Sequence, residues 1–279
     1  MNKFRLLALD IDGTLQNSRG EVSPRTRTAI ARVREAGMLV TLATGRSLRA
    51  ALPVAETLGL TAPLVLSNGA LVLSPATGQS FLHRPLSRSV AVQAARLLQQ
   101  LDLMVCANRF DPTGPDLFHD RLPHAPEQAL VLRREPEYVR QVSDMPALVA
   151  ALDPLKVMTV DRTPAVEAAA DRLRGALTGD FHVLVTPEAP GYSLLEVAPA
   201  GISKATGLAW LAEMTGILPA EIIAFGDNFN DLEMLQFAGL GVAMGNAPAG
   251  VKLTARMVTA TNDDDGIALL LEQQLLLAA

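Results

Sequence analysis

Four apolar residues, Leu6-Leu7-Ala8-Leu9, run straight into Asp10-Ile11-Asp12-Gly13-Thr14. A continuous apolar run of this length, without polar alternation, suits a strand covered on both faces, as in a parallel sheet flanked by helices. The next segment has helix punctuation: Ser23 as N-cap, Pro24 at the first position, Ile30 and Val33 on one face, and Gly37 beyond the end. A second strand follows over Met38 to Ala43 and stops at Thr44-Gly45-Arg46, and a helix from Ser47 leads toward Gly59. Pro63 to Leu66 reads as a third strand, and Ser67-Asn68-Gly69-Ala70 carries an Asn-Gly turn signal that predicts a hairpin leaving the sheet. Strands alternating with helices imply right-handed crossovers and a doubly wound parallel sheet.

The texture changes from about Arg84 to Pro190. Helices are predicted over Ser87 to Leu101, Asp144 to Leu152 and Pro164 to Leu177, with strands over Leu155 to Val160 and Phe181 to Thr186. Asp111 to Pro115 and Pro123 to Pro136 are proline-rich and read as loops. After it the first pattern resumes, with a helix from Ser203 to Thr215, a strand over Ile222 to Phe225 and another over Leu240 to Met244. The expected organisation is therefore one discontinuous α/β domain, 1–83 and 191–279, carrying an α+β insertion over 84–190. No internal repeat or low-complexity tract interrupts it.

Composition narrows the function classes. A chain of 279 residues with 49% hydrophobic and 19% charged residues has the make-up of a globular protein. A net charge of −5 without a lysine or arginine block gives no footprint for a nucleic-acid backbone. The single cysteine, Cys106, excludes an intrachain disulfide and a CxxC motif. Met1-Asn2-Lys3-Phe4-Arg5 has no signal-peptide pattern, and the apolar stretch from Gly266 is broken by Glu272-Gln273-Gln274, so no membrane span is expected and the cytoplasm is the expected compartment.

In an open α/β sheet, ligands bind beyond the carboxyl ends of the strands. Here those ends carry Asp10 and Asp12, Thr44 and Gly45, Asn68, and Asp227. Carboxylates that follow buried apolar runs are costly unless paired or bound to a cation, and three of them argue for a divalent ion, with magnesium favoured by all-oxygen ligands. If strand geometry persists, Asp10 and Asp12 point to the same side while Ile11 points away. Such a pair can divide nucleophilic attack from proton transfer, although an Asp-x-Asp also caps a turn. Thr44-Gly45 before a helix can hold phosphate oxygens or merely turn the chain. Lys204 stands in a first helical turn, where the macrodipole disfavours a cation; it is either a phosphate ligand or a solvated lysine. In Gly226-Asp227-Asn228-Phe229-Asn230-Asp231, Asn230 and Asp231 share a helical face with Asp227, which either ligates a metal or caps the helix.

Taken together, Asp10-Ile11-Asp12-Gly13-Thr14, Thr44-Gly45-Arg46, Lys204 and Gly226-Asp227-x-x-Asn230-Asp231 resemble the four motifs of the haloacid-dehalogenase-like hydrolase superfamily, and the insertion resembles the large cap of its Cof-like phosphatase branch. The resemblance spans essentially the whole chain. It implies a Rossmann-like doubly wound parallel sheet core with an inserted α+β cap, and a magnesium-dependent phosphatase working through an aspartyl-phosphate. It further implies Asp10 as nucleophile and metal ligand, Asp12 as general acid/base with its backbone carbonyl on Mg2+, and Asp227 as the remaining protein ligand. Ile11 through its backbone, Thr44, Gly45, Lys204 and Asn230 would hold phosphate, with Asp231 in support. Ala205 stands where the family usually has glycine. The implied partner is a small phosphorylated metabolite (sugar phosphate, nucleotide or phosphorylated cofactor), handled by a monomer or small homo-oligomer. A phosphomutase of the same superfamily and a non-catalytic phosphometabolite-binding module are the rivals. A nucleotide-binding dehydrogenase is disfavoured, since no GxGxxG follows the first strand. Arg109 and His119 are read as exposed-loop residues outside the site, His83, His124 and His182 lack metal-ligand spacing, and Trp210, Leu211 and Met214 are read as core.

Overall fold

The computed structural model describes residues 4–132 and 136–276. They fall into two compact units, one drawn from Met1–His83 with Ile202–Ala279 and the other from Arg84–Gly201. In the first unit the chain forms β1 (Leu6–Leu9), α1 (Pro24–Glu35), β2 (Leu39–Leu42), α2 (Leu48–Thr57), β3 (Leu64–Leu66), β4 (Leu71–Leu73) and β5 (Ser80–His83). The second unit supplies α3 (Arg88–Gln100), β6 (Cys106–Arg109), β7 (Leu117–His119), α4 (Pro126–Val131), β8 (Val139–Gln141), α5 (Met145–Ala151), β9 (Pro154–Arg162), α6 (Thr163–Ala176), β10 (Phe181–Ala189) and β11 (Tyr192–Pro199). The first unit then resumes with α7 (Lys204–Thr215), β12 (Ile222–Gly226), α8 (Leu232–Phe237), β13 (Leu240–Ala243), α9 (Ala249–Thr254), β14 (Met257–Val258) and α10 (Gly266–Leu276).

The main sheet of the first unit has the order β14-β13-β12-β1-β2, and every pair is parallel. β1 and β12 are buried along their whole length, which is what their unbroken apolar runs require of central strands. Leu9 lies opposite both Leu42 and Phe225, so the three strands end level with one another. The chain leaves β1 for β2 on one side, while β12 pairs on the other; the connections therefore diverge at the carboxyl ends of β1 and β12. α1 starts as its punctuation requires: Ser23 Oγ accepts from the Thr26 N–H and Pro24 occupies the first position. The apolar stretch from Gly266 forms α10, which lies against α1 and joins it through the Arg25–Glu272 pair at 2.6 Å.

The predicted hairpin belongs to a small antiparallel sheet, β3-β4-β5, joined to the main sheet by a parallel bridge between Ala43 and Val65. Its turn has positive φ at Ser67, Asn68 and Gly69. At Gly69 (φ +95°) an added Cβ would lie 2.0 Å from the Ser203 carbonyl oxygen, at the start of α7. Glycine is required there by conformation and by space together.

In the second unit, a six-stranded sheet of order β10-β11-β9-β6-β7-β8 packs Val105, Val157, Leu195 and Val197 against Val90, Leu98, Val149, Val166 and Leu173 of α3, α5 and α6. This unit continues to Gly201, beyond the expected limit of 190. The reason is β11, which pairs with both β10 and β9 and buries Leu195 and Val197. Arg109 and His119 are not loop residues: they close β6 and β7, His119 is buried, and Arg109 pairs with Asp111. The proline-rich stretch over 123–136 contains α4, with Pro126 in its first turn, while 133–135 lie outside the described residues, as does Met1-Asn2-Lys3 of the N-terminal reading. Leu211 is core and Trp210 packs beside it, stacked on Phe81, but Met214 is exposed. Among the described residues no helix is long and apolar enough to cross a membrane.

Gly69→Ala is expected to destabilise the protein by about 2–4 kcal/mol, since it adds backbone strain to a clash with a carbonyl that cannot move without shifting α7. Chemical denaturation of the variant beside the wild type measures it.

Candidate active site

Asp10 is the first residue past β1. Its N–H donates to the Phe225 carbonyl (3.1 Å), which extends the ladder by one residue and leaves the carboxylate 4% exposed. Lys204, in the first turn of α7, is 1% exposed, and its Nζ lies 2.6 Å from Asp10 Oδ1 and 2.7 Å from Asp231 Oδ1. Burial pushes the Asp10 carboxyl well above the usual range; the Lys204 ammonium opposes this, and Asp231 and Asp227 reinforce it. Burial by itself would lower the Lys204 pKa, but the two carboxylates outweigh it and hold the ammonium protonated. The cation at a helix start, unfavourable for the macrodipole, is thus explained by two carboxylates within hydrogen-bond reach. The reading of Lys204 as a solvated lysine is excluded.

Asp227 is the first residue past β12, and its Oδ1 accepts from Thr14 Oγ1 at 2.7 Å. Burial raises its pKa to about 6; the Thr14 hydrogen bond pulls it down and Asp231 pushes it up. Asp231 is fully buried, and its Oδ2 accepts from the N–H groups of Asp227 (3.0 Å) and Asn228 (2.9 Å). It fastens the turn that presents Asp227. Oxygens of Asp10, Asp227 and Asp231 lie within 4.8 Å of one another. Three carboxylates against one ammonium leave excess negative charge in a mostly buried space, and a donor set of hard oxygens fits a hard divalent cation. Since Asp231 spends one oxygen on Lys204 and the other on two backbone donors, Asp10 and Asp227 are the better placed to hold such an ion.

Asp12 departs from its expected geometry. The chain turns over Ile11–Leu15, with Asp12 extended (φ −77°, ψ 120°) and Gly13 at φ +74°. Ile11 is buried, Asp12 is 65% exposed, and the two acids share no partner. Asp12 instead accepts two bonds from Arg46, Nη2 to Oδ1 at 2.5 Å and Nε to Oδ2 at 2.9 Å. An added Cβ at Gly13 would meet Asp227 Oδ2 at 2.3 Å, so the glycine is needed to turn the chain past that carboxylate.

Thr44 is buried past the end of β2, and its Oγ1 accepts from the Arg46 N–H at 3.2 Å. The Thr44 carbonyl accepts from the Asn68 N–H at 2.9 Å, Asn230 Nδ2 donates to Asn68 Oδ1 at 3.2 Å, and a Cβ on Gly45 would lie 3.1 Å from Asn68 Oδ1. Thr44, Gly45 and Asn230 therefore gather around Asn68. Sequence reasoning noticed Asn68 as a strand-end polar residue and as part of a turn signal, without a role in the site. It gave no role to Thr14 or Arg46, which stand inside quoted motifs, nor to Asn246, whose Nδ2 donates to the Gly13 carbonyl at 2.8 Å. Asn246 lies three residues past β13, so the strand-end rule could have found it.

A family model described as haloacid dehalogenase-like hydrolase matches residues 7–271. The chain is 32% identical over 276 residues to the 5-amino-6-(5-phospho-D-ribitylamino)uracil phosphatase YitU of Bacillus subtilis, covering 96% of each chain. It is 29% identical to the pyridoxal phosphate phosphatase YbhA of Escherichia coli, covering 95% of this chain and 96% of that one. A crystal structure of a haloacid dehalogenase-like hydrolase from Bacteroides thetaiotaomicron superposes with a TM-score of 0.83 at 30% identity, over 97% of this chain and 99% of that one.

Because the folded-state pKa of Asp227 lies above its ordinary value of 3.8, its charge weakens the metal-free protein. The cost is absent below about pH 4, where both states are protonated, and complete above about pH 6. Asp227→Asn is expected to stabilise the metal-free protein at pH 7.5 by about 1–3 kcal/mol, with no gain near pH 3.5. Thermal unfolding in chelator at the two pH values checks this, and added Mg2+ should stabilise only the wild type.

Proposed function

This chain belongs to the haloacid dehalogenase-like hydrolases and is a phosphoric monoester hydrolase, and from that premise we propose that it releases phosphate from a small metabolite ester through an aspartyl-phosphate on Asp10. The observation that carries the proposal is the buried Lys204 ammonium bonded to both Asp10 and Asp231, with Asp227 alongside. An ammonium fixed on the nucleophile's own oxygen keeps that carboxylate in place as a phosphate dianion approaches, and offsets part of the charge repulsion between them. Asp10 attacks phosphorus in line, the ester P–O bond breaks, and Asp12 protonates the leaving oxygen. Water then attacks the aspartyl-phosphate while Asp12 takes its proton, which regenerates Asp10 and frees inorganic phosphate.

Mg2+ would be held by Asp10, Asp227 and the Asp12 carbonyl, and when bound it supplies positive charge against the phosphoryl oxygens. Thr44, Gly45 and Asn230, gathered on Asn68, bring a hydroxyl, a backbone N–H and an amide to the same strand ends and would bind the remaining phosphoryl oxygens. Ile11 would add its own N–H, and Asp231 holds Lys204 and the Asp227 turn. The substrate is a phosphorylated cofactor or precursor, a sugar phosphate or a nucleotide; relatives named as phosphatases of a ribitylaminouracil phosphate and of pyridoxal phosphate put the first class at the head of the panel. Phosphotransfer back to a second hydroxyl, as in a mutase, uses the same residues and differs only in product.

Incubated with a panel of such esters and Mg2+, the protein is expected to release inorganic phosphate from a subset. Chelator and Asp10→Asn should each lower the rate by at least about 1,000-fold, the scale on which loss of a covalent nucleophile registers. Turnover that persists in Asp10→Asn would remove Asp10 from the role of nucleophile, and an isomeric phosphate ester as the sole product would make the enzyme a mutase.

A further inference from the structure

Arg46 lies just past β2, and both of its backbone polar groups are fixed: its N–H donates to Thr44 Oγ1 (3.2 Å) and its carbonyl accepts from the Ser67 N–H (3.0 Å). Its guanidinium spends all three nitrogens on four acceptors. Nε donates to Asp12 Oδ2 (2.9 Å), Nη2 to Asp12 Oδ1 (2.5 Å) and to Gln16 Oε1 (2.7 Å), and Nη1 to the Ala50 carbonyl (3.2 Å). Gln16 closes the turn that carries Asp12 and Ala50 lies in the first turn of α2, so the fork joins the strand ends to the acid through a planar group that cannot lose its charge. A surface ion pair formed by chance would hold neither partner this way: Asp12 is mostly exposed, while Arg46 is anchored at its backbone and on two further oxygens.

We propose that Arg46 is the positioning residue of the second half-reaction, holding Asp12 as the base that accepts a proton from the hydrolytic water. The inference rests on the reading of Asp10 as nucleophile and Asp12 as base. Both Asp12 oxygens accept from the guanidinium, so the fork fixes the carboxylate at two points. A base held in one place is what the water step needs: the new O–P bond forms, the P–O bond to Asp10 breaks, the electron pair returns to Asp10 as carboxylate, and the proton passes to Asp12. Asp12 then gives that proton to the next leaving alkoxide. Arg46 thus keeps an exposed side chain at one place during the step in which a water, with no binding determinants of its own, must be activated.

The test uses p-nitrophenyl phosphate with Mg2+, whose leaving group departs without an acid and reports each phosphorylation of the enzyme by its colour. In Arg46→Ala the first turnover is expected to slow by less than about threefold and the steady state by about tenfold or more, giving a burst near one equivalent per site. Arg46→Lys, with a point charge in place of the fork, should recover only part of the loss. Asp12→Asn is run alongside. If it too separates burst from steady state and Arg46→Ala does not, the role of Arg46 falls while that of Asp12 stands; if Asp12→Asn leaves both phases alone, the reading of Asp12 falls. Equal slowing of both phases in Arg46→Ala means a structural role and overturns the proposal. A second readout is independent of turnover: in crystals of Arg46→Ala the Asp12 carboxylate should leave its wild-type position or spread over several rotamers, and an unmoved Asp12 overturns the proposal.

Discussion

The contact on which the site depends is the ammonium of Lys204 bonded to Asp10 and Asp231. All three groups are almost wholly removed from water, where an isolated charge is not tolerated. The two carboxylates keep the Lys204 ammonium protonated, and the group is kept in register by backbone: Asp10 by the ladder to β12, Lys204 by the start of α7, Asp231 by the N–H groups of the Asp227 turn. Removing Lys204 would leave two buried carboxylates without their cation, a cost of about 3–5 kcal/mol. The group therefore couples stability to chemistry. In the proposed mechanism, the residues that would make the attack possible are those whose burial the fold must compensate.

Two architectural facts make the contact possible. Parallel strands of matched register end level, so residues that follow β1, β2 and β12 meet although they are far apart in sequence. The glycine turn at Gly69 then lets the start of α7 come within contact of the small sheet, bringing Lys204 down onto Asp10. Side chains at this edge divide into two groups: Asp10, Asp227, Asp231 and Lys204 form a buried charged cluster, while Asp12 and Arg46 form a pair open to solvent. Under the proposed roles, a carboxylate that exchanges protons with water and a leaving alcohol is better served by the second environment, and a nucleophile that stays oriented by the first.

Much of this was legible in the chain. The alternation of apolar runs with capped helices gave the parallel sheet, and the Ser23-Pro24 and Ser203 to Gly216 signals set helix ends within a residue or two, because caps are local chemistry. Lys204 was marked by a broken rule, a cation at a helix start, and the contact with Asp10 and Asp231 gives the reason. What went astray depended on distant partners. The residues of β11 were grouped with the first domain because a strand between two others is defined by neighbours that sequence does not name. Arg109 and His119 looked exposed because adjacent prolines hid two short strands, and Met214 looked buried because its helix is apolar on nearly every side.

Sequence by itself determined which residue types stand at the strand ends and in what order, since those follow from apolar runs, caps and turn residues a few positions apart. Tertiary structure alone decided how they pair: that Lys204 bridges Asp10 and Asp231, that Asp12 pairs with Arg46, and that Asn68 gathers Thr44, Gly45 and Asn230. Those pairings join positions up to 194 residues apart, and they are set by register, burial and a tight glycine approach, none of which any short stretch of the chain contains.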